Sequence, residues 1–331
     1  MNGQELLTRY AAGSIDFSRQ MLRNQSLVGA DLIGIDLTEA DLQGIQLQLA
    51  YLNRASFKGS NLSQADLSGA NLSQANLERV NLSNANLHGV SLQGAMLQGA
   101  NLALADLTDA NLMGADLRET NLSSTNLTGA CLRGANLREE QRRDPANLRG
   151  AILCQVDLRG ANLRGADLAK VNLQGANLRE VNLKGANLAQ ADLRGANLSG
   201  ALLSEADFSG AKLQGATLVS AKMERVKLIE ANLCQCDLDG ANLTDAIATQ
   251  ANFNKASLRQ AKLNRSNLSR ATLEGANLTE ASFVNAYLAR ANLTDANCMR
   301  ANLARAELSS ATLINMVWTG ATMPDGSEYS A

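Results

Sequence analysis

The sequence predicts a solenoid, a fold in which one short backbone unit repeats and stacks on itself. A five-residue unit, A-(N/D)-L-x-x, recurs along nearly the whole 331-residue chain. Its central position is mostly Leu, and the position two residues earlier is mostly Ala. A period of five fits neither an α-helix, whose apolar residues recur every 3.6 positions, nor a strand, which alternates by two. The backbone must therefore turn a corner every five residues, as repeat solenoids do.

The repeat divides the chain into arrays and flanking segments. Repeat array 1 spans 15–139 and repeat array 2 spans 146–325. Residues 140–145 interrupt the period between them. We expect residues 1–14 to form an N-terminal cap and residues 326–331 to form a C-terminal tail.

Units such as ADLSG from Ala65, ANLRG from Ala161 and ADLRG from Ala191 resemble the pentapeptide-repeat family. The resemblance implies an all-β solenoid, a right-handed quadrilateral β-helix in which four units make one coil and each unit forms one side. The central residue and the residue two before it would point inward, and the other three outward. At four units a coil, the two arrays would make about 15 coils.

The outward positions carry their own expectations. Gly often falls two residues after the centre, where a type II turn needs a positive φ. Where Glu180 or Arg305 takes that place, we expect a different corner geometry. Asn or Asp usually precedes the centre, and we expect these short side chains to hydrogen-bond along the stack.

We expect capping elements at both ends of such a tube, because an open β-edge can pair with another chain. Leu6, Leu7 and Tyr10 have helical spacing and predict a short N-terminal capping helix within residues 2–12. Trp318 is predicted to cover the last Leu layer. The alternative is that one end joins a second copy as a homodimer, since several family members resemble dimers joined through their ends.

The interruption offers two interpretations. The centres Leu137 and Leu148 are eleven positions apart, which is one more than two regular units. The segment is either a bulged corner or irregular side within the wall, or a short outward loop that contacts a partner. Family members that protect DNA gyrase from quinolones carry protruding loops, and this segment resembles a short one. The candidate loop residues are Arg142, Arg143, Asp144 and Pro145.

Charge is nearly balanced, with 32 acidic and 30 basic residues and a net charge of −2. The register places Arg159 and Arg179 twenty residues apart, hence one above the other, and does the same for Arg164 and Lys184. These four residues form a candidate basic ridge for an acidic partner. The alternative is a solvated surface whose charge is balanced by neighbouring carboxylates.

Several function classes find little support. Duplex DNA carries one negative charge per about 1.7 Å, so a near-neutral chain could mimic only a short stretch of it. Direct nucleic-acid binding is not expected, because the basic ridge lacks interleaved aromatic residues. The single histidine, His88, has no defined catalytic partner. We therefore predict no catalytic, cofactor-binding or metal-binding residues and no cofactor.

The cysteines and the hydropathy favour a structural interpretation as well. Cys236 and Cys298 occupy inward positions, where Cys acts as a small apolar filler. No apolar run approaches the roughly 20 residues of a membrane-spanning helix. A cytoplasmic protein that does not bind membranes is expected.

The favoured function is a non-enzymatic solenoid that presents rigid flat faces for protein–protein interaction, with a protein partner of unknown identity. One alternative is a partial DNA mimic that binds a type II topoisomerase such as DNA gyrase. A second alternative is a passive structural spacer.

Overall fold

The computed structural model describes residues 1–138 and 146–329. The chain divides into two compact units, unit 1 (Met1–Asp167) and unit 2 (Leu168–Ala331). Each unit is built from the same five-residue side, repeated and stacked. Among the described residues, no helix has the length and apolar character that crossing a bilayer requires.

The sides stack through parallel β-bridges between residues 20 apart, such as Asp16 with Asp36 in unit 1 and Asn172 with Asp192 in unit 2. Each strand is reduced to one such bridge residue, immediately before the buried centre. Within the ladder, Leu22 N donates to Asp41 O at 2.8 Å and Asp41 N donates to Gln20 O at 2.9 Å. Five residues per side and 20 per rung give four sides per coil, as the resemblance implied.

Each unit therefore has four faces, which we name after the first buried centre on each. Unit 1 has the Phe17, Leu22, Leu27 and Leu32 faces, and unit 2 has the Leu168, Leu173, Leu178 and Leu183 faces. On most sides, the bridge residue and the two residues after the centre point outward, and the buried Ala169 is an exception. A face thus displays three columns of side chains, in which neighbours are about 4.8 Å apart along the stack.

Burial confirms which two positions of each unit were predicted to point inward. Centres such as Leu67 and Leu193 and small residues such as Ala65 and Ala191 are almost completely buried. Where a hydroxyl replaces Ala, it finds a backbone acceptor: Ser60 Oγ donates to Phe57 O at 2.7 Å. The stacked Leu and Ala layers supply the apolar burial that holds the coils together.

The expectation of a different corner at Glu180 and Arg305 is wrong. Their φ angles are 57° and 58°, close to the 63° and 72° of the corner glycines Gly160 and Gly165. Each corner is a four-residue turn closed by a backbone bond, for example Val181 N to Leu178 O at 3.2 Å. The ladder imposes this left-handed conformation on any residue at the corner, because tertiary hydrogen bonding outweighs the local preference for Gly.

The ladder shows whether the interruption adds a side between Leu137 and Leu148. Asn121 pairs with Asn147, 26 residues on, where regular rungs join residues 20 apart. Leu137 N still donates to Asn162 O at 2.8 Å, so the sides of Leu137 and Leu148 follow each other directly. The interpretation as one irregular side is therefore wrong, since that would leave an extra side between them. This coil instead contains six residues more than a regular one.

The predicted N-terminal helix is α1, Gly3–Ala11, with Asn2 as its N-cap. Asn2 Oδ1 accepts from Glu5 N at 2.8 Å, and Gly13 follows the helix with a φ of 93°. Leu6 is fully buried. Gly3 N donates to Gln25 Oε1 at 2.9 Å, and Tyr10 Oη donates to Ile33 O at 2.8 Å. These contacts hold α1 against the first coil of unit 1.

The far end of unit 2 differs from the prediction. The tail folds back so that Thr322 and Glu328 form an antiparallel bridge. Trp318 contacts Tyr329, with ring centroids 6.4 Å apart. Leu313, which occupies a central position, remains 38% exposed. Trp318 therefore does not cover the last Leu layer, because its ring packs against the returning tail.

Candidate interaction surfaces

Two of the predicted ridge residues lie in unit 1. Arg159 on the Leu32 face forms an ion pair with Asp157, with Nη2 and Oδ2 2.6 Å apart. The hydrogen bond from Arg159 lowers the pKa of Asp157. Arg164 on the Phe17 face is exposed and has no ion pair among the described residues; its backbone N–H donates to Asn162. Much of the charge of Arg159 is thus already balanced within its own side.

The other two ridge residues lie in unit 2. Arg179 on the Leu178 face and Lys184 on the Leu183 face are both exposed. Their backbone N–H groups donate to Asn177 and Asn182 at 3.4 and 3.2 Å. Neither side chain has an ion pair among the described residues. The ridge across these four residues remains a prediction.

The candidate loop residues Arg142, Arg143, Asp144 and Pro145 lie outside the described residues. Their role as a contact loop also remains a prediction.

Acidic residues at the start of unit 1 are partly neutralised. Arg23 Nε lies 2.6 Å from Asp41 Oδ2, and Arg19 Nε lies 2.8 Å from Glu39 Oε2. Asp41 also accepts from Asn61 at 3.4 Å. These internal partners reduce the negative field that DNA mimicry would require.

An asparagine ladder runs up the Leu22 face above Asp41. Each Asn Nδ2 donates to the Oδ1 one coil below, at 3.0–3.4 Å, through Asn61, Asn81, Asn101, Asn121 and Asn147. Each Oδ1 also accepts the backbone N–H two residues on, as Asn101 does from Ala103 at 3.2 Å. This confirms the expected bonding along the stack. Because these amides bond mainly to one another, we expect the ladder to stabilise the fold and not to bind a ligand.

A cluster of apolar side chains lies at the corner between the Leu27 and Leu32 faces, which we call the N-terminal corner. It consists of Val28, Leu49 and Tyr51, all exposed. The exposed Ile33 lies on the Leu32 face beyond them, towards its next corner. Leu49 is 64% exposed and has a φ of 57°. A shallow groove of about 250 Å³ adjoins Ile33 on the Leu32 face. The sequence reasoning missed this cluster, although Leu49 stands at a corner position that elsewhere holds mostly Gly or polar residues.

The last coil of unit 2 presents a second apolar surface. Leu313, Ile314 and Val317 are exposed there. The backbone N–H groups of Leu308 and Leu313 have no backbone acceptor among the described residues. In the part of the chain that the structure describes, this end therefore combines ladder donors that lack a backbone acceptor with exposed apolar side chains.

The cysteines follow the predicted register. Cys236 and Cys298 are buried, and burial raises the pKa of each thiol to about 12. Cys234, two residues before Cys236, is half-buried on the outer surface. Within residues 1–138 and 146–329, no group of three or more His, Cys, Asp or Glu is placed to hold a metal ion.

Comparisons with known proteins agree with this architecture. The family model described as pentapeptide repeats matches residues 22–138, 146–218 and 227–315 in overlapping segments. No match was found among curated proteins.

Solved structures of pentapeptide repeat proteins are similar to the chain. HetL, involved in heterocyst differentiation regulation in the cyanobacterium Nostoc sp. strain PCC 7120, is 30% identical over 99% of this chain and 100% of its own, with a TM-score of 0.37. QnrB1, a plasmid-mediated fluoroquinolone resistance protein, is 20% identical over 61% of this chain and 84% of its own, with a TM-score of 0.35. A protein of the Arabidopsis thaliana thylakoid lumen is 33% identical over 35% and 70%, with a TM-score of 0.19.

Proposed function

Since the chain belongs to the pentapeptide repeat family, we propose that it is a non-enzymatic interaction protein whose rigid faces bind a protein partner. The stacked coils fix, through backbone hydrogen bonds, the backbone positions from which the outward side chains project. A partner would then meet a backbone that is already ordered, which lowers the entropic cost of binding.

The observation that carries this proposal is the exposed apolar surface around Leu49, because corner residues such as Glu39 and Arg54 share its φ of 57°. A bulky residue in the left-handed region costs about 1–2 kcal/mol, and Leu49 also exposes its side chain to water. Gly would fit this corner without strain. Residues that violate local preferences without a structural gain are typical of functional sites.

The neighbours of Leu49 extend the same surface. Tyr51 belongs to the same coil, and Val28 and Ile33 belong to the coil before it. Tyr is common at the energetic centres of protein interfaces, because it buries a large area at a small entropic cost. The N-terminal corner is therefore the surface on which we place the protein partner.

The test is affinity capture from host lysate with two matched variants. Tyr51→Asn with Val28→Ser places polar residues at two positions of the corner. The control Met96→Asn changes an exposed apolar bridge residue on the Phe17 face. We expect a partner retained by the wild type and the control but lost with the corner variant. Equal retention by all three proteins would reject the corner as the contact surface.

We further propose that α1 closes the N-terminal edge while the last coil of unit 2 joins a second copy. Leu313 and Ile314 are exposed, and the backbone N–H groups of Leu308 and Leu313 have no backbone acceptor within residues 1–138 and 146–329; both observations support this homodimer. Sedimentation equilibrium should give a dimer for the wild type and a monomer for Ile314→Asn. A wild-type monomer at micromolar concentration would contradict it.

DNA mimicry of a type II topoisomerase such as gyrase is the second candidate. The ion pairs of Asp41 and Glu39 weigh against it. A gyrase supercoiling assay decides this point, since inhibition or drug protection by the protein would replace our first proposal. Failure to retain any partner would favour a passive spacer. The cytoplasmic location expected from the sequence stays a prediction.

A further inference from the structure

The Leu168 face of unit 2 carries two exposed apolar side chains in one column. Ile247 and Tyr287 occupy bridge positions two coils apart, joined through Asn267. Tyr287 is 55% exposed. Beside this column the outward residues Ser269 and Ala289 are small, so a flat strip lies open next to the Tyr287 ring.

Arginines lie along one side of this strip and at the far end of the other. Arg270 and Arg290 stand at the corner that follows the strip. Arg305 stands in the column of corners that precedes the strip, one coil beyond Tyr287 and beside the bridge residue Glu307. All three are exposed, and none forms an ion pair with a described residue. We call the surface formed by Ile247, Tyr287, Arg270, Arg290 and Arg305 the arginine-bordered face.

Elsewhere in unit 2, charged residues at successive corners form ion pairs that stabilise the stack. In the preceding corner column, Glu205, Arg225, Asp245 and Arg265 alternate in sign. Arg225 pairs with Glu205, and Arg265 holds Asp245 through two bonds of 2.7 and 2.8 Å. Stacked opposite charges stabilise neighbouring strands, whereas stacked like charges destabilise them.

Arg270 and Arg290 follow the opposite arrangement. They occupy successive coils of one column, where Arg270 N donates to Ala289 O at 2.9 Å. Both adopt a φ of 59°, so each also bears the strain of a non-Gly corner. Two like charges in strained positions gain nothing from each other, and carboxylates of a ligand between them would offset the repulsion.

We propose that the arginine-bordered face binds an extended acidic segment of a partner protein that places an apolar or aromatic side chain between carboxylates. Arg270, Arg290 and Arg305 would pair with the carboxylates, and Tyr287 and Ile247 would contact the apolar side chain. This proposal rests on the proposed interaction function and names the chemistry of a partner. The coils of residues 248–308 span about 14 Å, the length of roughly four extended residues.

The experiment measures binding of a defined probe to the full chain by fluorescence anisotropy. The probe is a labelled peptide of roughly eight residues that alternates Glu with Val and Phe, long enough to cover the strip. A peptide with Lys in place of Glu and a single-stranded oligo-dT serve as comparison ligands. Each is titrated at several NaCl concentrations.

The variants use residues that the repeat itself employs, so the fold is expected to survive. Arg270→Gly with Arg290→Gly removes two charges at corner positions. Arg54→Gly with Arg79→Gly removes the same charges from the same kind of corner in unit 1. Tyr287→Asn introduces the residue type that is most common at the bridge position. Thermal unfolding of each variant verifies its fold.

We expect the acidic peptide to bind the wild type and the Arg54/Arg79 control alike, and to bind the Arg270/Arg290 variant about tenfold more weakly. That variant should also show a shallower salt dependence, because two charge contacts are gone. Tyr287→Asn should weaken binding while leaving the salt dependence unchanged. The peptide with Lys should not bind.

Three results would overturn the inference: no binding of the acidic peptide by the wild type, equal loss in both double-Gly variants, or tighter binding of oligo-dT that the Arg270/Arg290 variant loses. The last result would assign the face to single-stranded nucleic acid. If a lysate partner binds through the N-terminal corner but the peptide does not bind, this inference fails and the proposed function stands. If the peptide binds but no lysate partner is captured through the N-terminal corner, this inference stands and the assignment of the partner to that corner fails.

Discussion

The side chain of Leu49 lies directly over Gly69 on the next coil, so a Cβ added at Gly69 would come within 2.7 Å of Leu49 Cδ2. Gly69→Ala should therefore force Leu49 to move. This variant should be less stable than the wild type by roughly 1 kcal/mol, because Ala is strained at a positive φ. Displacing the Leu49 side chain should cost a further ~1 kcal/mol. Urea-induced unfolding measures this loss of stability.

Gly89 supplies the matched control for that substitution. It stands one coil above Gly69 on the same face, with a φ of 63° and nothing within 4 Å of an added Cβ. Gly89→Ala should cost only the backbone strain. In a Leu49→Gly background, the difference between the two alanine variants should vanish. A difference that persists would mean that Leu49 does not occupy this position.

The asparagine ladder predicts unequal costs for two similar truncations. Asn101→Ala removes one bond to Asn81, one from Asn121 and one from Ala103 N. Asn111→Ala on the Leu32 face removes only the bond from Met113 N. The first variant should therefore be less stable than the second by about 1–2 kcal/mol. Equal midpoints in urea would show that the ladder contributes nothing.

Acid should weaken unit 2 through Asp192. The hydrogen bond from Arg194 lowers the pKa of Asp192 to about 2, assisted by Gln174 Nε2 at 2.8 Å. A lowered pKa in the folded state means that this stabilisation is full above the unfolded pKa near 4 and is lost as the pH falls towards 2. Stability of the wild type should thus fall over that window.

Arg194→Gln tests this assignment, because it removes the guanidinium and leaves the carboxyl. Urea unfolding between pH 5 and pH 2 should show a smaller loss of stability for this variant than for the wild type. Identical pH profiles would contradict a role for the pair.

The thiols should fall into two classes. Cys131, Cys154 and Cys234 are half-buried, whereas Cys236 and Cys298 are buried with raised pKa values. Because the thiolate is the reactive form, a disulfide reagent at pH 8 should modify only the first class in the folded protein. Mass spectrometry counts the adducts, and modification of all five before unfolding would refute the predicted packing.

The sequence predicts the coils because period and burial coincide at each unit. The inward positions of Leu67 and Cys236 follow from counting alone. The corners at Glu180 and Arg305 could not be predicted the same way, since local preference favours Gly while the ladder decides the conformation. Counting also misjudged the step from Leu137 to Leu148, because only the partner of Asn121 reveals how many sides lie between them.

The candidate interaction surfaces were harder to predict from the sequence than the coils. Stacking of Arg159 and Arg179 was inferred from register, but register does not reveal that Asp157 already pairs with Arg159. Tyr287 and Ile247 share a face only once the four-sided coil is known. One signal available in advance was Leu49, a bulky residue at a position that is mostly small or polar; Leu104 stands at an equivalent corner, 61% exposed and with a φ of 61°.

The central claim is that Leu49 is retained for binding at the expense of stability, and Leu49→Gly tests it most directly. Gly relieves the left-handed strain, so the thermal midpoint should stay constant or rise, by an amount equivalent to at most about 1 kcal/mol. Partner retention in the capture experiment should fall in the same variant. A lower thermal midpoint together with undiminished retention would contradict the account, because Leu49 would then serve the fold and not the partner.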